Sequence, residues 1–232
     1  SIAGKKIGPG RRCFVIAEIG SNHDCSIKKA GALVRAAKCS GADAVKFQSF
    51  KAENLAERDF KAFDTFKRYE LPLKWHGELK QCADREGIIF FSTPFDEERA
   101  DLLFELRVPA FKIASGDLTH MPLIRHVARC GKPIILSTGM SDAKEIQRAL
   151  KAIREEGNEK IVLLHCVSTY PTRYEDFNLR VIPNMIIKYG MPVGLSDHSP
   201  DICIPMAAVA LGASVIEKHF TMDKSGDGPD HS

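Results

Sequence analysis

In this 232-residue sequence, two lysines stand where apolar side chains would be expected: Lys46 inside AVKFQ and Lys112 inside AFKIAS. An ammonium buried in such a run is costly unless a counter-charge or a bound anion meets it. Two of them, accompanied by the hydroxyls of Ser115, Ser137 and Ser196, point to a site for phosphate or carboxylate. A structural carboxylate such as Glu18 or Asp117 is the other answer to a buried lysine. His198 in VGLSDH and His219 in VIEKHF occupy matching places in two apolar runs. That is the arrangement two ligands of a divalent metal need, with Glu18 as a candidate carboxylate partner. Together these groups suit a phosphorylated or carboxylated small molecule reacting with a carbonyl, which a metal would polarise while Glu18 moves a proton. Imine formation by a lysine of lowered pKa uses the same residues, and spacing does not separate the two chemistries.

Eight short apolar, β-branched runs must position these groups: 13–20, 44–48, 88–94, 110–115, 133–139, 161–167, 193–198 and 215–220. They recur about every 29 residues with amphipathic stretches between, the size of a strand–helix repeat. Residues 141–157 carry Ile146, Leu150 and Ile153 on one face, which predicts a helix capped by Ser141 and closed at Gly157. Residues 26–41 predict another, with Ser26 as N-cap and Gly41 at the end. Residues 49–73 interleave charges with Phe50, Phe60, Phe63, Phe66 and Tyr69, and read as an aromatic face on a barrel rim or as a lid.

Eight strand–helix repeats in this length predict a (β/α)8 TIM barrel in a single domain. An open doubly wound sheet would want a Gly-rich phosphate loop after the first strand, and EIGSNHD is not one. Only a short polar segment follows the eighth strand, so the expected barrel lacks its last helix and leaves an apolar groove beside strands eight and one. A barrel collects its chemistry at the C-terminal ends of its strands. There the sequence places Glu18, Asn22 and His23, then Lys46 and Gln48, Thr93, Lys112, Ser115 and Asp117, Ser137, Ser168 and Tyr170, Ser196 and His198, and Glu217 and His219. Alternation puts Lys46 with Gln48, Ser196 with His198, and Glu217 with His219 on shared faces. His165 falls out of phase and reads as structural; His76, His120 and His126 receive no role.

Composition narrows the field. The chain has 33 Lys and Arg against 30 Asp and Glu, a net charge of +3 with no basic tract, so nucleic acid is not an expected partner. Seven cysteines without C-x-x-C spacing suggest neither zinc ribbon nor disulfide framework, and a reducing cytoplasm is the simpler expectation. No apolar run is long enough to span a membrane.

The runs AEIGSNHD, ADAVKFQSF, FFSTPFDEERADLL, FKIASGD, PIILSTGM, LLHCVSTYPT, VGLSDHS, IEKHFT and GPDHS follow one another through essentially the whole chain. In that order they closely resemble the sialic acid synthase family, which includes bacterial N-acetylneuraminate synthases and spore-coat polysaccharide proteins. The resemblance implies a phosphoenolpyruvate-dependent condensation. C3 of phosphoenolpyruvate attacks the open-chain aldehyde of N-acetylmannosamine or a similar sugar, water adds at C2, and phosphate leaves with C–O cleavage. It further implies Mn²⁺ or Mg²⁺ at His198 and His219, and phosphoenolpyruvate held by Lys46, Thr93, Lys112, Ser115, Ser137 and Ser196. Glu18 would handle the proton, and Gln48, Asp117, Tyr170 and Asp230 would meet the sugar. The sequence departs from the family pattern at Asp117, often Glu, and at Ser168, often Asn, a further substrate contact. The family is dimeric, and its members continue past GPDHS into an antifreeze-like domain that supplies an arginine to the partner's sugar site. This stretch of chain is therefore expected to bind metal and phosphoenolpyruvate but to turn over poorly. Two other readings stand beside it: a barrel condensing phosphoenolpyruvate with a phosphorylated aldose, and an inactive barrel serving as a binding module.

Overall fold

A computed structural model of the chain describes every residue except Tyr170, Asp227, Pro229 and Ser232. All eight predicted strands form: β1 Phe14–Gly20, β2 Ala44–Ser49, β3 Ile89–Pro94, β4 Phe111–Ile113, β5 Ile134–Ser137, β6 Ile161–Cys166, β7 Val193–Asp197 and β8 Val215–His219. They make one eight-stranded sheet in the order β3-β2-β1-β8-β7-β6-β5-β4. That is cyclic sequence order, the order of a (β/α)8 barrel, and the fold is a TIM barrel. Among the described residues no helix follows β8.

The chain divides into two compact units, a larger one of residues 1–16 and 109–218, and a smaller one of 17–108 and 219–232. In the larger unit β4 to β8 pair in parallel, with Leu136 opposite Leu163 and Ser196 opposite Glu217. Helices α6 Met121–Arg129, α7 Ala143–Glu155, α8 Val181–Tyr189 and α9 Cys203–Ala210 belong to this unit. Leu123, Ile124 and Val127 of α6 and Ile146, Leu150 and Ile153 of α7 are buried. Each such side chain contributes roughly 1.5–3 kcal/mol by leaving water. The N-cap of α7 is Asp142 and not Ser141 as predicted. Its carboxylate accepts from the N–H groups of Lys144 and Glu145 while the Glu145 carboxylate accepts from the Asp142 N–H, a reciprocal box that Ser141 is one residue too early to form. Helix α9 is apolar throughout, and Ile202, Met206 and Val209 are exposed.

In the smaller unit β2 and β3 pair in parallel, Gln48 opposite Thr93. Helix α1 Ile27–Cys39 starts where expected, Ser26 Oγ accepting from the Lys29 N–H at 3.3 Å. Helix α4 Leu73–Glu86 packs against α1, and α5 Glu97–Glu105 follows β3. The segment after β2 forms two short helices, α2 Ala52–Leu55 and α3 Phe63–Tyr69. Its Phe50 ring meets Phe66 and Phe95 edge-on, and Phe60 stacks on Phe66. The aromatic run thus packs beside the end of β3, the rim reading of the sequence. His76 is buried, with Nε2 2.6 Å from Ser49 Oγ.

Candidate active site

Polar groups follow the strands closely in both units. Glu18, Lys46, Lys112 and Glu217 sit mid-strand, whereas Gln48, Thr93, Ser137, Ser196, His198 and His219 lie at or just beyond strand ends. Ser115 and Asp117 are not on β4, which stops at Ile113; they form a single 3-10 turn directly after it.

In the smaller unit Lys46 forms an ion pair with Glu18 and donates to Thr93 Oγ1 at 2.9 Å. Both charged side chains are under 5% exposed. Gln48 Nε2 donates to the second Glu18 oxygen at 3.1 Å. The carboxylate proposed as a metal partner is therefore engaged by an ammonium and an amide, because alternation on β2 aims Lys46 and Gln48 to one side. After β1 the chain turns through Ser21 and Asn22. Ser21 donates from both N–H and Oγ to Asp230 Oδ2, each at 2.8 Å, and Asp230 Oδ1 stands 3.7 Å from His219 Nδ1. The His23 imidazole is buried, and burial drives its pKa down to about 4, so it is neutral near pH 7.

In the larger unit Lys112 lies 3.4 Å from Glu217 Oε1, the atom to which Ser196 Oγ donates at 3.0 Å. Ser137 Oγ is buried and has no hydrogen-bond partner among the described residues. Ser115 Oγ accepts from the Gly139 N–H at 3.1 Å, and a Cβ on Gly139 would stand 2.5 Å from Ser168 Oγ and 2.9 Å from Ser115 Oγ. Only glycine lets these two hydroxyls converge there. Burial raises the Asp117 carboxyl to about 6 against the weaker pull of His120 and Lys112, and its Oδ2 has no partner among the described residues. The His198 Nδ1–H donates to the Val167 carbonyl at 2.8 Å. Burial opposes charge on His198, but its hydrogen bond to Cys166, the Val167 carbonyl and Glu217 outweigh that and hold it above the ordinary imidazole range. Beside it, Lys218 donates to Asp197 Oδ2 at 2.6 Å, pinning the ends of β7 and β8 together. His165, read as structural, donates to the Phe177 carbonyl at 2.7 Å.

With this geometry, the comparisons decide the lineage. The NeuB family pattern matches residues 33–232. The chain belongs to the NeuB family. It is similar to the N,N'-diacetyllegionaminic acid synthase of Legionella pneumophila, 43% identical over 98% of this chain and 69% of that protein. It is also similar to the human N-acetylneuraminate-9-phosphate synthase, 37% identical over 99% of this chain and 67% of that one. The crystal structure of the sialic acid synthetase of Leptospira borgpetersenii, in complex with citrate, matches with a TM-score of 0.95 and 37% identity over the whole chain and 82% of its own. The chain spans about two thirds of the length of these curated relatives.

For a NeuB chain a divalent metal at His198 and His219 is the family expectation, and the donor set bears on it. Among the described residues no three His, Cys, Asp or Glu side chains gather closely enough to enclose a cation. His198 nonetheless shares one trait of metal-ligating histidines, its Nδ1–H donated to a backbone carbonyl. An imidazole so oriented, without two further donors beside it among the described residues, fits an open site completed by solvent or substrate and not a closed structural one. Two features of the site escaped the sequence reading. Glu217 shares a face with His219, yet its pairing with Lys112 was not foreseen. Cys166, one alternation before Ser168, has its pKa lowered: burial works the other way, but His198, Ser115 and Lys112 prevail. Tyr170, expected at the sugar, lies outside the described residues.

Proposed function

We propose that this NeuB chain carries the machinery of a phosphoenolpyruvate-dependent condensation with an N-acylated amino sugar, giving a nonulosonic acid and phosphate. The observation that carries this reading is the larger unit's cluster. Lys112 and a buried Ser137 hydroxyl without a described protein partner suit a ligand that brings several anionic oxygens. Ser115, Ser168 and Ser196 add hydroxyls to the same ligand, while Glu217 orients the Lys112 ammonium. In the smaller unit, Glu18 is the proton-handling carboxylate, paired with Lys46 and aimed by Gln48, with Thr93 fixing the ammonium. Asp117 and Asp230 are the sugar contacts. Asp117, with its pKa raised to about 6, can donate as well as accept a hydrogen bond near neutrality. A divalent metal held by His198 and His219 would supply Lewis-acid polarisation of the sugar aldehyde.

The relatives are named for different nonulosonic acid products, so the acceptor is open among acylated hexosamines and their 6-phosphates. The test is phosphate release from phosphoenolpyruvate with Mn²⁺ and a panel of such sugars, on this chain and on any longer form, with the product identified by mass. Sugar-dependent release that falls to background in His219→Ala supports the proposal. Release only with a phosphorylated aldose lacking the acylamino group, or no Mn²⁺-dependent phosphoenolpyruvate binding by calorimetry, overturns it.

A further inference from the structure

The sequence stretch 226–231 contains a feature that the proposed chemistry does not use. His231 is 2% exposed, yet it belongs to a polar loop rich in Gly and Asp. Its Nδ1 lies 2.7 Å from Thr221 Oγ1, just beyond β8, and its Nε2 lies 3.1 Å from Asp24 Oδ1, in the turn between β1 and α1. The Asp24 carboxylate only accepts, so the Nε2–H of His231 donates to it, while the Thr221 hydroxyl stands between Nδ1 and the Asp223 carbonyl, 3.0 Å from the latter. Asp24 also forms an ion pair with Lys29 at the start of α1.

The loop is shaped around this ring. A Cβ at Gly226 would stand 2.7 Å from the imidazole, and one at Gly228 would stand 3.0 Å from it. A side chain at Gly226 would displace the ring, and one at Gly228 would crowd it. One residue before His231 is Asp230, whose carboxylate takes both hydrogen bonds from Ser21 and faces His219. Asn22 Nδ2 donates to the Asp230 and Phe220 carbonyls, each at 3.0 Å. Gly20, at φ +52°, has no room for a Cβ because the Asp230 carboxylate occupies that place.

We propose that His231 is a positioning residue for substrate binding: by bridging Asp24 and Thr221 inside the Gly226–Gly228 cradle, it seats Asp230 against Ser21 and His219. A short polar loop has little apolar area of its own, so a buried side chain with two anchors must hold it. The inference rests on Asp230 being a sugar contact, as proposed above, but the seating itself can be read without any turnover.

The experiment compares wild type with His231→Ala, His231→Gln and Thr221→Val, which keeps the volume and removes one anchor. Amide hydrogen exchange at Ser21, whose N–H reports the Asp230 carboxylate, is followed by NMR. Losing a buried hydrogen bond corresponds to up to about ten-fold in local opening. We expect Ser21 exchange to rise about ten-fold in His231→Ala and by less in Thr221→Val, with partial recovery in His231→Gln. Distant core amides should keep their protection. In the condensation assay KM for the amino sugar should rise by a similar factor, while KM for phosphoenolpyruvate stays within about two-fold. Unchanged Ser21 protection in both His231→Ala and Thr221→Val overturns the inference, as does a parallel loss for both substrates with general loss of core protection. If wild type shows no Mn²⁺-dependent phosphoenolpyruvate binding, the proposed function fails, and the exchange measurement still decides how Asp230 is seated.

Discussion

The two buried lysines have the same side chain, the same exposure and a carboxylate each, yet their surroundings differ. Lys46 has a close ion pair with Glu18, a hydroxyl from Thr93, and a Gln48 amide completing the carboxylate. Lys112 keeps a longer contact, 3.4 Å, to a Glu217 oxygen that it shares with Ser196, beside the orphaned Ser137 hydroxyl. The first cluster largely satisfies its polar atoms within the protein. In the second the Ser137 hydroxyl has no partner among the described residues, as expected where a ligand completes the set. Under the proposed function, similar burial serves a proton-handling carboxylate in one place and anion capture in another.

Substitution separates these roles. The largest effect is expected from Lys46→Met, which leaves the Glu18 carboxyl buried without its ammonium. Breaking such a pair typically costs about 3–5 kcal/mol, so denaturant titration should show a loss of that order and no gain in compactness. Lys112→Met should cost clearly less stability, because its pair is longer. Its cost appears in binding: phosphoenolpyruvate affinity by calorimetry should fall about 10- to 100-fold, the worth of roughly 1.5–3 kcal/mol for a charge-assisted contact. Equal stability losses for the two variants would erase the distinction.

Asp117 gives a pH test within the second cluster. Its folded pKa, about 6, lies above the ordinary carboxyl value of 3.8 because of burial. A raised acid binds its proton more tightly in the folded state, so this contribution is present below about pH 4 and is lost as pH rises through 6. Asp117→Asn should therefore be more stable than wild type at pH 7, by about 1–2 kcal/mol after allowing for solvent screening, and show no advantage at pH 4. His23, with its pKa lowered to about 4, runs the other way over the same range, and it cancels in the difference between the two proteins. A stability difference independent of pH would contradict the assignment. The smallest effect belongs to Ser137→Ala. Removing a buried hydroxyl without a described partner should leave stability unchanged or raise it by up to about 1 kcal/mol, while phosphoenolpyruvate binds several-fold more weakly. Loss of stability in this variant would mean that the hydroxyl serves the fold.

The eight strands were legible because each carries an apolar run of the right length between helical stretches, and their count and spacing leave few folds open. The start of α1 was legible from Ser26, but the start of α7 was not: Ser141 and Asp142 both cap well, and the decision came from Glu145 standing three residues after Asp142. The end of β4 was misplaced because Ala114 and Ser115 continue the run by type, while the backbone has already turned at Ser115. In the site, the cost of burying Lys46 and Lys112 was visible in their neighbours, and Glu18 was foreseen as one answer.

Residue type and periodicity alone determined which side chains this protein must bury at the ends of its strands, because an ammonium or imidazole in an apolar run has few affordable surroundings. The order of its motifs, itself a property of the chain, carried the resemblance to the family. Partnership was decided only by the tertiary structure. That Lys112 meets Glu217, and that His231 reaches back to Asp24, depends on strand order and loop path, which bring together groups far apart in sequence. Hydrogen bonds act over about 3 Å, and no local pattern encodes which distant residue arrives within that range.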